Sequence, residues 1–87
     1  MYYVYVIRSR QDGTFYTGYT NDLKRRLAEH NDKVSTYTKH KAPLQLVYYE
    51  AYRSRADAKY RENNLKRFGG AMTHLKKRIR NSAADFM

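Results

Sequence analysis

Cysteine is absent from the 87-residue sequence, which excludes disulfide bonds and thiolate metal sites. This absence fits a reducing compartment, and we expect a cytoplasmic protein. Long hydrophobic runs are also missing. The apolar stretch at residues 1–9, MYYVYVIRS, is too short for a membrane span and lacks the basic leader of a secretory signal. We therefore expect a soluble protein with no membrane partner.

Acidic residues are scarce. The chain has 8 Asp and Glu against 18 Lys and Arg, a net charge of +10 in 10.4 kDa. A polyphosphate partner is the first expectation, because each phosphate that a protein neutralises releases a condensed counterion. One alternative is that the charge only keeps a small domain soluble. An anionic membrane is a weaker choice, since no long amphipathic helix is predicted. The charge thus favours nucleic acid.

The chain is short enough for one domain, and no linker or repeat divides it. Aromatic and β-branched residues predict a strand at 2–7, which is apolar on both faces and hence central in its sheet. Asp12 and Gly13 form a turn signal before a second strand at 15–19. We expect these two strands to pair as an antiparallel hairpin.

One more strand and three helices are predicted after the hairpin. Asn21 or Asp22 caps a helix at 23–31, and Ser54 caps a second helix that Gly69 and Gly70 end. The remaining predictions are a polar loop at 32–41, a strand at 44–51, helices at 55–68 and 72–79, a structured core at 1–80 and a frayed tail at 81–87. The predicted fold is α+β, a three-stranded antiparallel sheet flanked by helices in the order β-β-α-β-α-α.

Several short motifs follow one another in an ordered series. YVY occupies residues 3–5 and YTG residues 16–18, inside the longer segment FYTGYTNDLKRRLAEHN, and LVYYE and RENNLK come later. This series resembles the GIY-YIG nuclease superfamily, above all its small single-domain bacterial branch, over nearly the whole chain to Arg80. The superfamily includes intron-homing endonucleases and the incision subunit of bacterial excision repair, so DNA repair is one expected setting.

The resemblance implies metal-dependent hydrolysis of nucleic acid, DNA more than RNA, with low intrinsic sequence specificity. Arg26 corresponds to the superfamily's catalytic arginine, and Glu62 to its single acidic ligand for Mg²⁺ or Mn²⁺. Tyr5 corresponds to the proposed general base and Tyr16 to a partner that orients water or relays a proton. The alternative function is a catalytically weak nucleic-acid-binding module of the same fold. A protein partner for targeting is also compatible with the sequence.

The sequence departs from the superfamily pattern in two motif positions. Tyr3 replaces the glycine of GIY, and Thr17 replaces the isoleucine of YIG. Neither change removes a reacting group. A late asparagine that helps larger members to bind substrate has no matching residue here. The candidates are Asn63, Asn64 and Asn81, and none has the fitting spacing.

Helical geometry supports a functional role for Arg26 independently of the resemblance. His30 falls within about 20° of the apolar stripe set by Leu23, and Arg26 within about 60°, whereas Arg25 points away. We therefore expect Arg26 and His30 to face the sheet. His30 then assists proton transfer or holds a phosphate, unless it is a buried structural histidine.

Glu62 shows the same inward phase on the second helix, within about 60° of Leu65. A carboxylate on an apolar face is unfavourable unless it is paired or bound to a metal. The alternative to a metal is a salt bridge to Arg61 or Lys66.

Tyrosine accounts for ten residues, so most of them serve packing or stacking, and only the motifs single out Tyr5 and Tyr16. A phenol with a pKa of about 10 is a poor base at neutral pH. We expect Arg26 and a metal to lower the pKa of Tyr5. The alternative is that both tyrosines are core aromatics with hydroxyls at the surface.

Further cations are candidates for contacts with nucleic acid, although a solvated helix face is an equal alternative for those near the C-terminus. They are Lys39, His40, Lys41, Lys66, Lys76, Lys77 and Arg78.

Overall fold

The computed structural model describes residues 1–32 and 40–84. Within these ranges the chain forms three strands and four helices. Their bounds are β1 Tyr2–Ser9, β2 Phe15–Thr20, α1 Leu23–Asn31, β3 Leu44–Tyr52, α2 Arg55–Arg67, α3 Gly69–Arg78 and α4 Arg80–Ala84. No helix in the two ranges has the length and hydrophobicity that crossing a membrane requires.

The sheet is antiparallel, with the strand order β2-β1-β3. The first strand is central, as its apolar character on both faces predicts, and β2 forms one edge. The hairpin turn contains Gly13, whose φ of 76° lies in the left-handed region that favours glycine. The α+β class and the three-stranded antiparallel sheet are therefore confirmed.

Helices cover the sheet on both faces, because neighbouring residues of β1 point in opposite directions. Val4 and Val6 pack against the layer formed by α2, α3 and α4. Tyr5 and Ile7 pack with Leu44 on the opposite face, beside α1. The edge strand β2 therefore runs between α1 on one side and α2 on the other.

The second half of the chain contains two differences from the predicted helices. Gly69 and Gly70 do not lie between two helices, as predicted, but are the first two residues of α3. Only Phe68, whose backbone is extended, separates α2 from α3. The predicted frayed tail is wrong for residues 81–84, which form α4. Ala83 is buried in the core, and Arg8 Nη1 donates a hydrogen bond to the Ala83 carbonyl at 2.8 Å. These long-range contacts hold the tail; residues 85–87 lie outside the described ranges.

Candidate active site

A groove of about 620 Å³ lies along the β2 edge, between α1 and α2. Its size is typical of a ligand site. The polar side chains and the glycine that line it are Tyr5, Tyr16, Thr17, Gly18, Tyr19, Arg26, His30, Glu62 and Lys66. The groove thus brings together all five predicted catalytic residues, which come from two strands and two helices.

Helix α1 is fixed at both ends, and this positions the two groove residues that it carries. Asp22 caps its start, because the Asp22 side chain accepts a hydrogen bond from the Arg25 backbone N–H at 3.1 Å. Asn31 anchors its end to β3. The Asn31 side chain accepts a hydrogen bond from the Leu44 backbone N–H at 2.6 Å and donates one to the Leu44 carbonyl at 3.0 Å.

Tyr5 and His30 form a buried pair at the floor of the groove. The Tyr5 hydroxyl and His30 Nε2 are 3.0 Å apart, and the side chains are only 4% and 5% exposed. Gly18 makes room for this pair. A Cβ atom at Gly18 would lie 2.3 Å from the Tyr5 hydroxyl oxygen, closer than any real contact.

The role of Gly18 as a residue that positions Tyr5 was not predicted from the sequence. A glycine inside a strand is the available signal, because it often marks a close approach of another group. Gly18 lies opposite Tyr5 in the register and in the interior of β2, rather than at the end of a strand.

The protonation states of this pair follow from burial. Burial raises the pKa of Tyr5, and the hydrogen bond and charge of Arg26 oppose the rise without cancelling it. Burial, followed by the charge of Arg26, lowers the pKa of His30. The predicted effect of Arg26 on Tyr5 is therefore present but outweighed. At neutral pH the pair is a phenol beside a neutral imidazole.

Arg26 turns towards the groove, whereas its neighbour turns to solvent. The side chain of Arg26 is 33% exposed and that of Arg25 is 61% exposed, so the predicted helical phase is confirmed. Arg26 Nη1 donates to Glu29 Oε1 at 3.0 Å. Burial lowers the pKa of Arg26, but hydrogen bonds with Glu29 and Tyr5 raise it by more. The net pKa is above the usual arginine value, so the guanidinium stays charged.

Glu62 lies on the buried face of α2 between Ala58 and Leu65, and it is 8% exposed. Its Oε1 is 3.5 Å from Lys59 Nζ, and its Oε2 is 3.1 Å from Lys66 Nζ. The ion pair between Glu62 and Lys66 that the sequence allowed is therefore present. Among the described residues that line the groove, Glu62 is the only acid.

The other predicted salt bridge, between Glu62 and Arg61, is wrong. Arg61 turns to β3 instead, where its Nε donates to both carboxylate oxygens of Glu50 at 3.0 and 3.1 Å. Arg61 Nη2 also lies 3.0 Å from Glu50 Oε2. Consecutive residues of α2 thus belong to different sites.

The donor set of the groove fits a hard divalent cation. In the described ranges, no three His, Cys, Asp or Glu side chains converge on one point. Mg²⁺ suits a single carboxylate because it keeps several waters and takes its other ligands from substrate phosphates. An ion at Glu62 would share the carboxylate with Lys59 and Lys66 or displace them.

Of the described cations that were predicted to bind substrate, Lys66 lines the groove and the others do not. Lys41 pairs with Asp12, and His40 is exposed. Lys76 lies over the ring of Phe15, with Nζ 4.5 Å from its centroid. Lys77 and Arg78 are exposed in the last turn of α3, and Lys39 lies outside the described residues. The three candidate asparagines, Asn63, Asn64 and Asn81, do not line the groove.

Comparisons with known proteins identify the family of the domain. Residues 1–77 match the family model for the GIY-YIG catalytic domain. A UPF0213 protein of Halobacterium salinarum is 43% identical over 72 residues, 82% of this chain and 92% of the relative. A UPF0213 protein of Staphylococcus saprophyticus is 38% identical over 77% of this chain and 82% of the relative.

A solved structure shares the fold as well as the sequence. The solution NMR structure of a UPF0213 protein from Bacillus halodurans is 32% identical, with a TM-score of 0.55, and the match covers 99% of this chain and 97% of that one. Together, the family model, the relatives and this structure show that the chain belongs to the GIY-YIG family of nuclease domains, among the small UPF0213 proteins.

Proposed function

We propose that the domain is a metal-dependent endonuclease that hydrolyses phosphodiester bonds of nucleic acid, DNA in preference to RNA. The observation that carries this proposal is the composition of the groove. It holds the hydrogen-bonded pair of Tyr5 and His30, the cation of Arg26 and the single carboxylate of Glu62. The net charge of +10 supports a polyanionic substrate. Contacts to phosphates carry no base information, so we expect low sequence specificity.

The pair of Tyr5 and His30 supplies a base without a free phenolate. A water molecule that attacks phosphorus transfers its proton to the Tyr5 hydroxyl oxygen as the Tyr5 proton moves to His30 Nε2. The tyrosine is then a phenol again, and His30 is an imidazolium. The bond from phosphorus to the 3′ oxygen breaks with its electron pair, and solvent protonates that oxygen. Tyr16, in the same groove, orients the water.

The charged residues of the groove act on the phosphate. Arg26 stabilises the non-bridging oxygens as negative charge builds on them. Glu62 would hold a Mg²⁺ or Mn²⁺ ion, which when bound stabilises charge on the phosphate and on the leaving oxygen. Lys66, which already lies beside Glu62, adds a further positive charge to the same wall.

One observation favours a second candidate, a catalytically weak nucleic-acid-binding module. Lys59 and Lys66 together neutralise both carboxylate oxygens of Glu62 without any metal. A protein of this kind binds nucleic acid in the groove and leaves the strand intact.

A cleavage assay separates the two candidates. Labelled duplex, single-stranded and branched DNA, and RNA of the same sequence, are incubated with Mg²⁺, with Mn²⁺ or with a chelator. The nuclease gives shortened products with metal and none with chelator, and it cuts DNA faster than RNA. Bound but intact substrate under every condition would contradict the proposal and support the binding module.

A further inference from the structure

A second pocket, of about 470 Å³, adjoins the groove beside the end of β2. It shares Tyr19 and Arg26 with the groove, so the two form a continuous surface. Three arginines line it: Arg25 and Arg26 from α1, and Arg55 from the start of α2. None of the side chains lining this arginine pocket is acidic.

The positive charge of the arginine pocket is only partly balanced. Arg26 pairs with Glu29 at 3.0 Å, and Arg25 Nε lies 4.0 Å from Asp22 Oδ2. Arg55 forms no ion pair with any described residue. Like charges around one pocket repel one another, and an anion that enters it relieves the repulsion.

The location of Arg55 is unfavourable for the helix that carries it. Arg55 is the first residue of α2, where the positive end of the helix dipole disfavours a cation. Its side chain is exposed, so it adds no apolar burial to the core. The stability of the fold therefore gives no reason for an arginine at this position, whereas anion binding does.

We propose that the arginine pocket binds an internucleotide phosphate of the nucleic acid, next to the phosphate that the groove holds. Guanidinium groups match phosphate oxygens with paired hydrogen bonds. Arg26 lines both cavities, so a continuous strand passes from one to the other beside it. This assignment rests on the proposed nucleic-acid substrate and extends it to a second contact.

Arg53 offers a matched control for Arg55. It lies two residues earlier, is exposed, and lines neither the groove nor the arginine pocket. Arg53→Ala removes the same charge as Arg55→Ala. Circular dichroism melting confirms that each variant is folded, and Arg55→Gln provides a second substitution with a side chain of similar length.

The test is the salt dependence of affinity for a short labelled DNA duplex, measured by anisotropy in chelator so that no cleavage occurs. For the wild-type protein we expect a log–log slope of about −3 to −6. Arg55→Ala and Arg55→Gln should weaken binding about 3- to 10-fold at low salt and make the slope shallower by about 1. Arg53→Ala should leave the slope close to that of the wild type.

A second arm identifies the ligand as a phosphate within the strand. Neutral methylphosphonates replace all the phosphates of one strand of the duplex together, because a protein of low sequence specificity has no fixed register on it. The replacement should weaken binding by the wild-type protein more than binding by Arg55→Ala. Equal slopes for the wild type and Arg55→Ala, or equal weakening of the two by the replacement, would overturn the arginine pocket. The proposed nuclease would still stand if Arg26→Ala lowers cleavage. Absence of DNA binding by the wild-type protein would overturn both proposals.

Discussion

The Tyr5 hydroxyl lies 3.0 Å from Nε2 of His30, which links the central strand of the sheet to α1 inside the groove. Burial raises the pKa of Tyr5 and lowers that of His30, so both groups are neutral at pH 7. A buried phenol beside an imidazole can pass on a proton without first ionising. The reactivity of Tyr5 therefore depends on His30.

This dependence predicts the pH profile of cleavage. The rate should rise as His30 loses its proton and reach a plateau by about pH 7, with an apparent pKa below the ordinary histidine value of about 6.5. Tyr5→Phe and His30→Gln should each lower the single-turnover rate about 100-fold or more. His74→Gln, in an exposed position, is the control. A rate that still climbs towards pH 10 would show that a free phenolate is the base.

Gly18→Ala should remove activity and stability together. The added methyl group would overlap the Tyr5 ring, with distances of 2.3 Å to its oxygen and 2.4 Å to Cζ. We expect a loss of about 1–3 kcal/mol in the free energy of unfolding, typical of overpacking in a core. Gly70→Ala is the matched control, because nothing beyond its chain neighbours and the backbone of its own helix lies within 4 Å of the added methyl group. Denaturant unfolding of the wild type and both variants measures this loss. A Gly18→Ala variant as stable as the wild type would mean that Tyr5 can move aside.

A third prediction concerns the hydrogen-bonded cluster around Glu50, which lies outside the groove. Tyr48 donates to Glu50 at 2.6 Å, and Tyr52 and Arg61 donate to it as well. Glu50→Gln leaves Arg61 half-buried without its counter-charge, so unfolding should become easier by about 1–3 kcal/mol. Cleavage by the folded variant should be unchanged.

The pH dependence of that loss follows from the pKa of Glu50. Burial raises the pKa, but hydrogen bonds from Arg61, Tyr48 and Tyr52 bring it below its usual value. The stability from Glu50 is thus present above about pH 4.5 and is lost as the pH falls through the folded-state pKa. Urea unfolding should show the wild type and Glu50→Gln converging as the pH falls through the folded-state pKa. A constant difference between the two would refute this origin.

Arg26→Ala tests the predicted orientation of α1. Loss of a cation that stabilises the transition state typically lowers the rate by about 100- to 1,000-fold. Lys24→Ala, on the exposed face of the same helix and outside the groove, should leave the cleavage rate unchanged. Rates measured at saturating DNA separate this effect from weaker binding. Equal losses in the two variants would argue against a catalytic role for Arg26.

Sequence periodicity predicted the inward side chains because they share faces with buried apolar residues. His30 and Arg26 follow the stripe of Leu23, and Glu62 follows that of Leu65, so phase alone gave their directions. The central position of β1 followed in the same way from its apolar character on both faces.

Partners set by tertiary contacts could not be predicted. Lys59 and Lys66 lie one turn of α2 from Glu62, so either could pair with it. Arg61 is adjacent to Glu62 and lies about 100° around the helix, and its partner Glu50 is on β3, which no local pattern in the sequence indicates. The ordered end of the chain has a similar origin, since Arg8, far away in sequence, binds the Ala83 carbonyl.

The most direct test of the proposed nuclease is metal-dependent nicking by Glu62→Gln beside Asp57→Asn, an exposed acid on the same helix. The amide has no charge to hold a cation, so Glu62→Gln should lose nicking with Mg²⁺ and keep its affinity for DNA. Its stability should change by no more than about 1 kcal/mol, because Lys59 and Lys66 are half exposed. Asp57→Asn should nick like the wild type. Full nicking by Glu62→Gln would contradict the assignment of this residue to the metal.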